Sequence, residues 1–267
     1  MKIDQGTLNS PYPIPLSMGT IKKPTLESIA KPPMSFQRFY YYEALTVATP
    51  KSIFTESDNE EDIKLWESFS IQKQVNMKIF DLIYSSKEFQ KEYLEMLNFF
   101  FVENVAYIEN MGFVTLNPNK DYNTEDFERK DIIGVIDRDN FDDVLNYIQQ
   151  VCCIAPEEPE KVIYKNKTAE KLDKLFQKAE AENKKNSKAD NNLTLSNIVS
   201  KVAANHNSIN YLNIYRLTVP QVLDNFRSLQ NIEIYRIERT RVSVWGDEKK
   251  TFDSALWYKN DYDKNAK

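Results

Sequence analysis

Apolar residues recur every three or four positions along most of this chain and every second position in one short middle stretch, so the pattern predicts helices around a small sheet. Near the start, Pro11, Tyr12, Pro13, Ile14, Pro15 and Leu16 alternate proline with apolar side chains. Proline fixes φ and removes backbone donors, so this arm is expected to be extended. It either packs over the chain's own core or inserts into a neighbouring subunit. Thr25 then caps a short helix through Ala30, and Pro32-Pro33 stops it. Ser35 starts another, with Phe36, Phe39, Tyr40 and Ala44 on one side, that ends at Pro50. The acidic run from Asp58 to Asp62 suits a helix N-terminus, where anions meet the positive dipole end. Behind it Ile63, Trp66, Phe69, Val75, Ile79, Phe80 and Ile83 follow at helical spacing. Ser85-Ser86 breaks and recaps the chain, and Phe89, Tyr93, Leu94, Leu97 and Phe101 form the next stripe.

The middle changes period. Residues 104–109 and 113–116 are short β-like runs around Asn110-Met111-Gly112, which reads as a hairpin, and 132–136 supplies a third strand. Asp139 or Asn140 caps a helix carrying Phe141, Val144, Leu145 and Ile148. From Pro156 to Asn192 a lysine-rich tract surrounds only Leu172, Leu175 and Phe176 as a hydrophobic stripe, as in a solvated helix or linker. Thr194 caps Leu195, Ile198, Val199 and Val202, and Asn205-His206-Asn207 breaks that helix. Ser208 starts another through Leu217. Thr218, Val219, Pro220 and Gln221 form a strong start signal, because proline is tolerated in a first turn. Val222, Phe226, Leu229, Ile234 or Tyr235, and Ile237 follow, with Trp245-Gly246 as the stop. Phe252, Leu256 and Trp257 are placed to fold back as a short capping element.

The chain therefore reads as α+β, mostly α, with helical N-terminal and C-terminal parts flanking a small three-stranded sheet with one helix. The organisation is a proline-rich arm and helical domain over 1–101, a small α/β insert over 102–155, the lysine-rich helix or linker over 156–192, and a C-terminal helical domain over 193–267.

Composition narrows the function classes. Hydrophobic content of 41% supports real cores, and the formal net charge of −5 argues against general attraction to nucleic acid or anionic membrane. No apolar run approaches the roughly 20 residues that span a bilayer, and no signal-peptide core follows Met1, so a cytoplasmic protein is expected. There is one histidine, His206, and five glycines in 267 residues. The two cysteines, Cys152 and Cys153, are adjacent and read as small core residues of a reduced protein. A zinc site lacks ligands, and no glycine-rich phosphate loop is present. The run from Asp137 to Asp143 imitates a calcium loop but has Phe141, Asp142 and Ile148 where an EF-hand needs an oxygen ligand, glycine and glutamate. Helix capping with a reciprocal Asp143 accounts for it better. His206 at a helix end suits an imidazolium facing the dipole. The expectation is therefore a non-enzymatic protein with no cofactor and no metal. Two alternatives stay open: a regulatory nucleic-acid binder using Arg216, Arg227, Arg236, Arg239 and Arg241, and an enzyme built on an acid pair such as Asp137 with Glu109.

The stretch from Thr194 to His206, followed by Leu217-Thr218-Val219-Pro220-Gln221-Val222-Leu223-Asp224-Asn225-Phe226, resembles proteins of tailed bacteriophages and prophages of Gram-positive hosts, as do the opening from Pro13 to Leu26 and the run from Asp139 to Asp142. In that group a helix start of the form Leu-Thr-(Val/Ile)-Tyr-Gln-Leu-(Tyr/Phe)-Asp closes a chain of this size. This sequence departs from it at Pro220 and Val222, where the group has aromatics. The resemblance implies a role similar to tail assembly chaperones, which coat the tape-measure protein while the tail tube forms, or a minor virion structural protein. It implies no catalytic residues. The expected partner is the tape-measure protein, with self-association through the proline arm as a further contact. The residues expected to meet a partner are Tyr12, Ile14, Leu16, Val222, Phe226 and Leu229.

Overall fold

The computed structural model describes residues 2–55, 60–118, 129–154, 193–247 and 251–258. The lysine-rich tract lies outside them. In the N-terminal part, helix α1 (Gln5–Asn9) precedes a hairpin of β1 (Ile14–Leu16) and β2 (Gly19–Ile21), paired antiparallel with Ile14 opposite Ile21. The expected extended arm thus becomes one strand of a hairpin. Helices α2 (Leu26–Ala30) and α3 (Phe36–Val47) start where Thr25 and Ser35 accept the backbone N–H of Ser28 and Arg38. Pro50 opens α4 (Pro50–Thr55), where a missing N–H costs nothing.

The apolar series from Ile63 to Ile83 is not one helix. It divides into α5 (Glu60–Ser68), α6 (Ile71–Asn76) and α7 (Ile79–Ser85). The Ser70 hydroxyl accepts from Lys73 N–H, and Asp81 Oδ2 accepts from Lys78 N–H at 2.9 Å, so each new start is capped locally. Val75 ends up exposed, because the break turns it away from the side that Ile79 and Ile83 bury. Helix α8 (Lys87–Phe100) begins at Ser86 and buries Tyr93, Met96, Leu97 and Phe100.

Strands β3 (Asn104–Ile108), β4 (Gly112–Leu116) and β5 (Ile132–Ile136) form an antiparallel sheet in that order. The hairpin turn places Asn110 at φ 71° and Gly112 at φ 91°, the left-handed region that asparagine and glycine tolerate best. Helix α9 (Phe141–Val151) follows. Its start differs from expectation. Asn140 makes no side-chain cap; its Oδ1 accepts from Asp137 N–H, and Asp137 Oδ1 accepts from the N–H groups of Asp139 and Asn140. Asp142 pairs with Lys78 at 3.1 Å, and Arg138 with Asp81 at 2.6 Å, tying this turn to α7.

Rings lock the sheet to the helices. Phe141 lies 5.5 Å from Phe80, 5.6 Å from Tyr93 and 6.0 Å from Phe113. Offset and edge-on pairs of this kind add about 0.5–1.5 kcal/mol each beyond area burial. The carbonyls at the end of α3 would be orphans; the Tyr93 hydroxyl donates to Leu45 O at 3.0 Å and Gln149 Nε2 to Thr46 O at 2.6 Å. The N-terminal hairpin closes over the sheet: Thr115 Oγ1 donates to Met18 O at 2.7 Å, and a Cβ on Gly134 would meet Met18 Cα at 2.5 Å.

The C-terminal part contains α10 (Leu195–Asn205) and α11 (Val219–Trp245). Antiparallel contact between Thr25 and Thr218, with Leu26 N–H donating to Leu217 O and Val219 N–H to Pro24 O, joins this part to the N-terminal one. Lys23 is buried and donates to Thr7 O, to Ser10 O at 2.7 Å and to Ser10 Oγ at 2.9 Å, which holds α1 in place. Buried residues from α2, α3, α7, α8, the sheet, α9, α10 and the first turn of α11 belong to one hydrophobic cluster. Among the described residues no helix is long and apolar enough to cross a membrane.

Candidate interaction surface

Exposed apolar groups of the C-terminal part sit on the connection between α10 and α11 and on the far half of α11, besides Leu193 before α10 and Trp257 and Tyr258 in the fold-back. Thr194 Oγ1 accepts from Asn197 N–H to start α10, and Leu195 N–H donates to the Tyr40 hydroxyl at 2.8 Å. The helix ends at His206. Its Nδ1 accepts from Ser208 N–H at 3.2 Å and Ile209 N–H at 3.1 Å, so the ring braces the turn that follows the helix.

The helix expected from Ser208 to Leu217 does not form. Asparagine side chains take over the backbone there, the competition that disfavours asparagine in helix interiors. Asn213 Oδ1 accepts from Asn210 N–H at 2.8 Å, Asn213 Nδ2 donates to Ser208 O at 2.8 Å, and Asn210 Oδ1 accepts from Leu212 N–H at 2.9 Å. A single 3₁₀ turn, Ile214–Arg216, remains. Ile214 is fully buried and anchors the connection. Tyr211 at 59% exposure, Leu212 at 92% and Tyr215 at 37% point outward from this braced loop.

Helix α11 starts where Gln221 Oε1 accepts from Thr218 N–H at 3.0 Å, the return half of a capping box, and ends at Gly246 with φ 75°. At 27 residues it is about 40 Å long. Val219, Pro220 and Val222 are buried, and Leu223, Phe226 and Leu229 lean on the core. Beyond Leu229 no described residue of α11 joins that core. One side of this far half is covered by the chain folding back: Asp247 accepts the N–H groups of Thr251 and Phe252, and the Phe252 ring lies 5.7 Å from Tyr235. Ile234, Ile237 and Val244 remain outside that cover.

Of the six residues expected to meet a partner, Tyr12 is exposed. Ile14 and Val222 are buried in the chain's own core, and Leu16, Phe226 and Leu229 are half-buried against it. The strand pairing of the proline segment takes up Ile14, and the first turn of α11 is the inserted end of that helix. Tyr211, Leu212 and Tyr215 escaped notice because the helical spacing assumed for 208–217 treats them as ordinary face positions.

The remaining chemistry is sparse. Among the described residues there is no group of three or more His, Cys, Asp and Glu side chains that could hold a metal ion. Asp137 is engaged in the turn before α9, and Glu109 is exposed at the tip of the hairpin. Cys152 and Cys153 are free thiols; burial pushes Cys153 up to about 11 and raises Cys152 strongly. Such thiols are poor nucleophiles near neutral pH.

Residues 183–261 match the model of a family described as the YomV second domain, a phage- and prophage-associated family. Among the described residues the matched stretch holds α10, the braced loop, α11 and the fold-back. No curated protein and no solved structure matches the chain. The C-terminal part is thus similar to a phage-associated module.

Proposed function

We propose that the protein is a non-enzymatic phage tail-morphogenesis protein, a tail assembly chaperone that holds the tape-measure protein through Tyr211, Leu212 and Tyr215. One observation carries this reading. Three large apolar side chains stand exposed on a loop whose backbone is fixed by Asn210, Asn213 and His206. Fixing a contact loop before binding lowers the ordering cost of association, and aromatic anchors dominate interface energies. The loop lies inside the segment that matches the phage-associated family, and a long helical client offers the amphipathic stripe that such anchors grip. The arginine content of α11 gives nucleic-acid binding no comparable support, because Arg236, Arg239 and Arg241 are offset by Glu233, Glu238 and Asp247 in the same stretch.

The test is co-expression with the cognate tape-measure protein. The wild-type chain co-purifies with it. Leu212→Asp and Tyr215→Ala lower the affinity roughly 10- to 100-fold, while helical content stays unchanged because both side chains lie outside the core. If the wild-type chain recovers no tape-measure protein, the reading fails.

A further inference from the structure

The far half of α11 carries a second apolar feature, separate from the loop. Ile234 is 49% exposed, Ile237 59% and Val244 65%. With Gln230 before them and Arg241 among them, these positions recur at intervals of four, three, four and three, the spacing of one seam of a two-helix coiled coil. The fold-back leaves Ile234, Ile237 and Val244 exposed: its Phe252 packs on Tyr235, about 140° round the helix from the centre of the seam, and its Thr251 Oγ1 accepts from Arg241 at 3.4 Å. A helix half of about sixteen residues with no body beneath its seam is marginal by itself in water.

We infer that the seam is covered by a second copy of this chain, packed antiparallel through Ile234 and Ile237. The charges select both the occupant and the direction. Along 230–247 three arginines stand against two glutamates and one aspartate, so the surface offers no net charge to a strongly acidic or strongly basic partner. A parallel copy would set Arg241, paired with Glu238 of its own chain at 2.8 Å, against the other Arg241 at the seam, like charges directly opposed. An antiparallel copy whose two-fold axis passes between Tyr235 and Arg236 brings Ile234 of each chain opposite Ile237 of the other. The four isoleucines then form one cluster, and each Arg241 lies across from Gln230 and Glu233 of the other chain. Such an interface is isologous and closes at two copies. It is small, so micromolar affinity is expected. It leaves Tyr211, Leu212 and Tyr215 outside the seam, and it stands whether or not those residues hold a client.

Sedimentation of the purified full chain across a concentration series tests it. The wild type forms a dimer within the micromolar range. Ile237→Asp shifts the dissociation constant upward at least about 100-fold with no loss of helical signal, since Ile237 is exposed and lies outside the buried core. Direction is read by cross-linking. A mixture of Ile234→Cys and Ile237→Cys chains joins into mixed pairs faster than either variant joins to itself. A wild-type chain that stays monomeric at about 0.1 mM overturns the inference. So does a dimer insensitive to Ile237→Asp, or faster self-joining of each variant.

Discussion

Glu43 sits on α3, close enough to Cys152 and Cys153 at the end of α9 for its charge to raise both thiols. Burial pushes its own carboxyl from the ordinary 4.5 up to about 7. The sign of the consequence follows from linkage. Below pH 4.5 the carboxyl is protonated in the folded and the unfolded chain, and its burial costs little. Between 4.5 and 7 the unfolded chain releases the proton while the folded chain keeps it, so stability falls as pH rises; above 7 the whole penalty is present. Glu43→Gln is therefore expected to stabilise the fold by about 2 kcal/mol at pH 8 and to change it little at pH 4. Denaturant midpoints at the two pH values check this, and equal shifts at both would contradict it. The same residue shows how far single positions can be read. Its place on a helix is plain from the pattern around Phe39 and Tyr40, but its burial depends on α9, which the chain reaches only about a hundred residues later.

Elements with both a local start and a local stop were legible. Thr25, Ser35, Ser86 and Thr194 mark starts because a hydroxyl accepting an N–H three residues ahead is a matter of sequence-local geometry. The hairpin around Asn110 and Gly112 and the third strand follow from turn chemistry and alternation in the same way. The misreadings share one cause. From Ile63 to Ile83, and again from Ser208 to Leu217, apolar spacing continues through a side chain that captures a backbone group and ends the helix. Spacing records which residues are apolar, whereas Ser70, Asp81, Asn210 and Asn213 decide whether the backbone between them stays helical. The partner surface was hidden for that reason: a helix over 208–217 leaves no braced loop on which Leu212 stands out. Replacing Asn213 with Ala removes two of the side-chain bonds that brace it. The expected outcome is a loss of about 1–2 kcal/mol in overall stability. Faster amide exchange should appear at Asn210, whose N–H loses its acceptor, and unchanged exchange there would show that the loop does not depend on this brace.

At the scale of the molecule, the segment that matches the YomV second-domain model leans on the rest of the chain. Ile198, Val199, Val202, Ile214 and Val222 belong to the same buried cluster as Phe39, Phe100 and Phe141. Gln221 Nε2 donates to Asn9 O at 2.8 Å, and Gln5 reaches Asp224. A fragment restricted to residues 183–261 is expected to keep helical far-ultraviolet signal from α11 but to lack fixed tertiary packing, visible as poor dispersion in its amide spectrum. A well-dispersed spectrum would show that α10 and α11 suffice for each other.

The antiparallel contact between Thr25 and Thr218 also sets an order of events on the ribosome. The Pro24–Leu26 edge emerges well before its partner, which lies about 190 residues further along the chain. At translation rates of about 5–20 residues per second, that edge waits on the order of ten seconds or more for Leu217 and Val219 to arrive. During the wait the backbone groups of residues 24–26, and the part of α2 that packs on Ile214–Arg216, lack their final partners. Completion of this part of the fold therefore waits on synthesis of the stretch around Thr218, and a nascent chain stalled before it lacks the backbone partner of residues 24–26.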